Sequence, residues 1–202
     1  MQQFIQNLIA NGSLRTPEII RAWHKIDRAD FIPNDVKEHA YENAPLPIGF
    51  GQTISQPQVV ALMLELLQPK RGEKILDVGS GSGWQSALLA EIVGETGEVT
   101  AIERVPELFN FGKNNLAKYH FGNVKAIAGD GTAPLQPFSY YDKIIVAAAG
   151  DSVPETLKSE LKVGGTLVMP VKKSIFVFTK IDAEHFSTKE LPGFIFVPLI
   201  RD

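Results

Sequence analysis

The residues best placed by type and spacing to do chemistry are Asp77-Val-Gly79-Ser80-Gly81-Ser-Gly83, alternate glycines behind an acidic side chain. Glycine allows a sharp turn and close approach of a ligand to the backbone, and a helix opening at such a turn presents N–H groups without partners. Three readings suit the run: a dinucleotide fingerprint, a tight strand-to-helix turn with no ligand, or a loop for a cofactor that carries no phosphate. The GxGxG spacing, with Asp77 two residues ahead of the first glycine, departs from the GxGxxG of pyrophosphate cradles and favours the third. A cofactor with an amino-acid ammonium group needs an acceptor, which Asp77 and the loop carbonyls can supply. S-adenosylmethionine is a cofactor of that description.

Two further acids fall into register with this loop. Glu103 stands 20 residues beyond Gly83, where an acid at the end of the next strand can accept hydrogen bonds from ribose hydroxyls. Gly129-Asp130-Gly131 follows a third strand pattern, and Asp130 there can reach an adenine amino group. A lone Glu at a strand end is otherwise a solvated cap, and Asp-Gly is otherwise a common turn. Together the three positions describe one nucleoside-binding edge. His24, His39, His120 and His185 are scattered and the chain has no cysteine, so no metal site is expected. Neither GxSxG nor a phosphate-binding Walker sequence occurs.

The elements that must carry these residues divide near residue 70. Before it, Phe4, Ile5, Leu8 and Ile9 have helical spacing, Thr16-Pro17-Glu18 opens a second helix with Thr16 as cap, and Gln56-Pro57 starts an apolar helix from Val59 to Leu67. Residues 44–51, APLPIGFG, carry enough Pro and Gly to predict irregular chain. After residue 70, strands are predicted at 74–78, 98–102, 124–128, 143–148 and 166–171, with helices at 84–93, 106–119 and 154–161. That alternation implies a parallel sheet with crossover helices. Residues 174–181 and 193–199 read as two strands without a helix between them, an antiparallel hairpin closing the sheet. The expected organisation is one domain over 1–202, with N-terminal helices and a loop in 1–70 and a Rossmann-like core in 71–202.

With 44% hydrophobic residues among 202, the chain can bury a real core, and its net charge of −3 argues against a nucleic-acid partner. The N-terminus has no signal-peptide pattern, and no apolar run approaches the roughly 20 residues of a membrane span. These features predict a cytoplasmic protein without a membrane partner, and a monomer.

Leu46-Pro-Ile-Gly-Phe-Gly51-Gln-Thr-Ile-Ser55-Gln-Pro57 closely resembles the substrate loop of the protein-L-isoaspartate O-methyltransferases. Further segments follow in that family's order: Ile26-Asp27-Arg28 to Pro33, Ile75 to Gln85, Ile102-Glu103-Arg104, Gly129 to Gly131, Tyr141 to Ala149, Val153-Pro154, Gly164-Gly165 and Phe196-Val-Pro-Leu199. The likeness covers roughly residues 1 to 200, and GQTISQP is its most specific piece. It implies a class I methyltransferase fold, α/β and doubly wound, and a repair enzyme. Such an enzyme transfers the cofactor's methyl to the free α-carboxylate of an L-isoaspartyl residue in a damaged protein and leaves S-adenosylhomocysteine. The methyl ester then collapses to a succinimide.

The resemblance maps the proposed active-site serine onto Ser55, whose hydroxyl would orient the acceptor carboxylate. Taken by itself, Ser55 could equally cap the helix at Pro57. The expected cofactor contacts are Thr53, Ile54, Ser55, Gln56, Asp77, Gly79, Ser80, Gly81, Gly83, Glu103, Arg104, Asp130 and Gly131, with Ala147 and Ala148 beside the substrate. An ionised carboxylate with a pKa near ~4 needs no general base, in keeping with the absence of a His–carboxylate pair. A methyltransferase of the same fold acting on another carboxylate, and a binding protein without turnover, are the alternatives.

Overall fold

The computed structural model describes residues 1–138 and 140–200; Ser139, Arg201 and Asp202, which fall within the expected 1–202 span, lie outside the described residues. Two short helices, α1 (Gln2–Ala10) and α2 (Pro17–Lys25), open the chain, followed by the hairpin β1 (Leu46–Gly49) and β2 (Gln52–Ile54) and the helix α3 (Pro57–Leu67). Strands and helices then alternate: β3 (Lys74–Val78), α4 (Trp84–Val93), β4 (Glu98–Glu103), α5 (Pro106–Ala117), β5 (Val124–Ala128), β6 (Tyr141–Val146), α6 (Glu155–Glu160) and β7 (Leu161–Val171). Strands β8 (Ser174–Lys180) and β9 (Phe186–Pro192) finish the chain's regular structure.

The large sheet runs β5-β4-β3-β6-β7-β8-β9. Pairings from β5 through β7 are parallel, and β7–β8–β9 are antiparallel. Strand order reverses at β3, which lies between β4 and β6, and a ligand crevice is expected outside the carboxyl ends of the strands at such a point. Ile75, Leu76 and Val78 of β3 and Ile144, Ile145 and Val146 of β6 are apolar and buried, as expected of parallel strands covered on both faces. Helix α4 is buried on almost every side and packs on α2, with Trp23 edge-on to Trp84 at 5.0 Å between ring centres. One apolar cluster reaches from Ile5 in α1 through α3 and α4 to Ile175 in β8, so the N-terminal helices share a core with the sheet.

Two expectations are corrected. Residues 44–51 are not irregular: Leu46 pairs with Ile54 and Pro47 with Thr53, and Leu46, Ile48 and Ile54 are buried beneath the hairpin. Phe50 and Gly51 both take positive φ (53° and 71°), which a two-residue hairpin turn requires, so the Gly and Pro that suggested irregular chain are the turn and a tolerated edge position. The last strand is Phe186–Pro192 rather than 193–199. Ser187, Thr188, Lys189 and Glu190 are exposed on this sheet edge and carry no apolar alternation to read. The apolar segment 193–199 instead crosses the ends of the strands, pinned by Ala149 N–H to Val197 O and Leu199 N–H to Ala149 O, each 2.8 Å.

Candidate active site

At the carboxyl ends of β3, β4, β5 and β6 lies a cavity of about 370 Å³, closed by the β1–β2 hairpin on one side and residues 195–200 on another. Thr53, Ile54, Ser55 and Gln56 enter it from the hairpin and the start of α3. Gly79, Ser80 and Gly81 come from the loop after β3, Glu103 and Arg104 from the end of β4, Asp130 and Gly131 from the turn after β5, and Ala147 and Ala148 from the turn after β6. The fold therefore gathers thirteen residues that the sequence marked singly, spread over some hundred positions.

The loop after β3 uses its N–H groups on the protein itself. Gly79 and Ser80 N–H donate to Ile102 O at 2.9 and 3.0 Å, Gly81 N–H to Glu103 Oε2 at 2.9 Å, and Gly83 N–H to Ser80 O at 2.8 Å. A pyrophosphate cradle needs these donors free. Their use within the protein separates this loop from a dinucleotide fingerprint and suits a cofactor without phosphates.

Glu103 is the hinge of the arrangement. Its other oxygen accepts Val105 N–H at 2.9 Å, so the carboxylate is fixed at the cavity wall with one lone pair left on each oxygen, enough for two hydroxyl donors. Asp130 is shaped by its own turn: Thr132 N–H donates at 2.8 Å and the Thr132 hydroxyl at 3.0 Å. No Cβ fits at Gly131, since it would lie 2.6 Å from Val78 Cγ1.

Two expected contacts lie elsewhere. Asp77 is wholly buried and does not line the cavity; Gln85 Nε2 donates to one oxygen at 2.7 Å and the Ser86 hydroxyl to the other at 2.6 Å. Burial pushes its carboxyl up to about 6, against the opposing effect of those two donors. It ties β3 to α4 under the loop instead of facing a ligand, because alternation along β3 turns its side chain into the sheet–helix layer. Gly83 is likewise outside the cavity; with φ 86° it starts α4, and a Cβ there would sit 3.0 Å from Gly112 O and Leu116 Cγ. Its glycine serves helix packing.

Ser55 is not a helix cap. Gln56 holds the N-cap position of α3, and no side chain caps it. The Ser55 hydroxyl faces the cavity without a hydrogen-bond partner among the described residues, while its carbonyl accepts from Arg28 Nη2 at 3.2 Å. Arg28, only 2% exposed, also donates to Ala40 O at 2.8 Å, Ala44 O at 2.9 Å and, at 3.4 Å, Glu42 O, and its guanidinium lies 5.4 Å from the Trp84 ring centre. Burial lowers its pKa to about 10, and among the described residues its hydrogen-bond partners are four carbonyls and no carboxylate. The sequence offered Arg28 only as part of a shared motif. The wall contributed by Phe196 to Ile200 was likewise offered as a shared segment, Phe196 to Leu199, and was read as part of a strand because the run is apolar.

The family model described as protein-L-isoaspartate (D-aspartate) O-methyltransferase matches residues 1–202. The chain belongs to this family. A protein-L-isoaspartate O-methyltransferase of Ignicoccus hospitalis is 44% identical across 100% of the chain and 97% of its own length. One of Methanopyrus kandleri is 41% identical across 100% of the chain and 91% of its own. Among solved structures, a protein-L-isoaspartate O-methyltransferase of Plasmodium falciparum in complex with S-adenosyl-L-homocysteine superposes with a TM-score of 0.87 at 26% identity, covering 99% of this chain and 98% of that one. In this isoaspartyl methyltransferase the hairpin bearing Gln52-Thr-Ile-Ser55 thus faces the glycine loop across a single cavity.

Proposed function

We propose that the chain is an S-adenosylmethionine-dependent repair enzyme that methylates the free α-carboxylate of L-isoaspartyl residues in damaged proteins, with the cavity between the hairpin and β3–β6 as its active site. The observation that carries this reading is that the unpartnered Ser55 hydroxyl shares one cavity with Glu103 and a loop whose amides are already used. When bound, the cofactor supplies a methyl on sulfonium sulfur, and the electron pair of the breaking carbon–sulfur bond stays on sulfur.

The residues of the chain do the rest by placement. Glu103 accepts the ribose hydroxyls through its two remaining lone pairs, Asp130 takes the adenine amino group, and Gly79 to Gly81 flank the amino-acid portion with carbonyls. Asp77, held under the loop, places negative charge near a cationic ligand without touching it. Ser55 donates to one oxygen of the acceptor carboxylate and leaves the other for the methyl carbon, while the small Ala147 and Ala148 make room for the backbone beside it. The acceptor is ionised at neutral pH and no proton has to move. Alignment of two bound reactants is worth roughly 7–11 kcal/mol, which suits a site with no general base. Residues 1–202 act as one unit, with 1–70 supplying the substrate side. The protein works as a monomer in the cytoplasm, a compartment that fits a chain with no cysteine.

The test is transfer of labelled methyl to a synthetic isoaspartyl peptide and its aspartyl twin. Base-labile label on the isoaspartyl peptide alone is expected. Label on both, or on neither while S-adenosylhomocysteine still binds, overturns the assignment.

A further inference from the structure

Beside the active site, a second hollow of about 550 Å³ opens between the α1–α2 turn, the exposed face of α3 and the segment that follows β9. Its floor is Leu62 and Phe194, and its rim is Gly12, Ser13, Arg15 and Gln58. Gln56, Val59 and Ile195 line both hollows, so the cleft continues the active-site cavity past the residue next to Ser55. Ile195 is 88% exposed at this junction, an apolar side chain offered to whatever passes from one hollow to the other.

Among the described residues, Arg15 is the one charged residue lining the cleft. Its position is fixed by the buried Glu65, whose carboxylate accepts Arg15 N–H at 2.7 Å, Thr16 N–H at 2.8 Å and the Thr16 hydroxyl at 2.7 Å. Gln68 Nε2 donates to Oε2 as well at 3.2 Å, and the contact of Glu65 with the guanidinium is Nε to Oε2 at 4.0 Å. The terminal nitrogens of Arg15 have no partner among the described residues, and the side chain is 66% exposed. A guanidinium held at its base by Glu65, with its terminal nitrogens turned outward over an apolar floor, is complementary to a polypeptide carrying an acidic side chain. The segment after β9 is fixed against the same rim by the Lys173 carbonyl, which accepts Gly193 and Phe194 N–H at 3.0 Å each.

We propose that this cleft seats the polypeptide flank of the isoaspartyl substrate and that Arg15 selects for an acidic residue in that flank. The proposal rests on the methyltransferase reading of the neighbouring cavity. Continuity of the walls decides for the substrate chain over a separate ligand, because an isoaspartyl residue at Ser55 must continue in both directions as extended chain, and the cleft begins one residue from Ser55.

The experiment uses isoaspartyl peptides identical except for Glu, Gln or Lys at each flanking position in turn, with saturating cofactor and the full chain. In the native enzyme, kcat/KM for the Glu peptide should exceed that for the Lys peptide by about threefold at one or two positions on one side, and the contrast should shrink in high salt. The contrast should vanish in Arg15→Gln and reverse in Arg15→Glu, both at an exposed position where the fold is retained; circular dichroism and the melting temperature check this. Equal rates for Glu and Lys peptides in the native enzyme, or a preference that survives Arg15→Glu, overturn the cleft assignment while leaving the active site standing. Failure of every isoaspartyl peptide to be methylated would instead remove the reading on which it rests.

Discussion

Replacing Asp77 by Asn separates a group that holds the cofactor loop from one that touches the cofactor. In the folded protein burial raises the Asp77 carboxyl from 3.8 to about 6, which at neutral pH corresponds to about 3 kcal/mol of lost folding free energy. Below about pH 4 the group is protonated in folded and unfolded chains alike, and the penalty is absent. Between about pH 4 and pH 6 the unfolded chain ionises first, so stability falls as pH rises, and above about pH 6.5 the whole penalty is present. Asparagine cannot ionise, yet it can still accept from Gln85 and donate to the Ser86 hydroxyl, so its own offset does not vary with pH. The stability of Asp77→Asn relative to the native enzyme should therefore grow by about 2 kcal/mol between about pH 4.5 and pH 7.5. Urea unfolding midpoints at a series of pH values measure it. Calorimetry with S-adenosylhomocysteine gives the second arm, where a charge acting through the loop predicts a loss of affinity below about tenfold, against about a hundredfold for a directly contacting carboxylate. A stability difference flat across that pH range would refute the buried-acid argument, and a hundredfold loss of affinity would refute the indirect role.

Ser55→Ala should lower kcat on an isoaspartyl peptide by about tenfold or more, with S-adenosylhomocysteine affinity by calorimetry unchanged; turnover within twofold of native would leave the hydroxyl without a role. Glu103→Ala removes both the ribose acceptor and the prop for Gly81 and Val105, and cofactor-product affinity should fall by about 10- to 100-fold in the same assay. Arg28→Met strips donors from the carbonyls of Ala40, Ala44 and Ser55 and should cost about 2–4 kcal/mol by chemical denaturation. Arg28→Lys, a point charge in place of a fork, should recover only part of this.

The sheet and its cofactor edge were legible because their signals are local. A buried parallel strand is a short apolar run, and a loop that needs three positive-φ positions needs glycines, so β3 to β7 and the acids at their ends stand out in the chain itself. Direction was harder to read than position. Asp77 sits two residues from a cavity-lining glycine, yet the alternation of β3 turns it toward Gln85 and Ser86, and only the placement of α4 shows which face that is. The end of the chain misled because tertiary context reversed the usual pattern. Lys189 and Glu190 belong to a strand whose outer edge meets water, and Phe194 to Leu199 are apolar because they wall a cavity. Arg28 was illegible as a functional residue, since its partners are backbone carbonyls, which leave no trace in side-chain identity.

Strand β9 is the antiparallel border of the seven-stranded sheet, opposite β5. A catalyst that handles aged, partly unfolded polypeptides meets extended segments able to add themselves as an eighth strand. Serine, threonine, lysine and glutamate along that border, ended by Pro192, give an incoming segment no apolar register to match and make it desolvate charge. The polar border that hid this strand from sequence reading is thus a poor template for the stacking of an extended client.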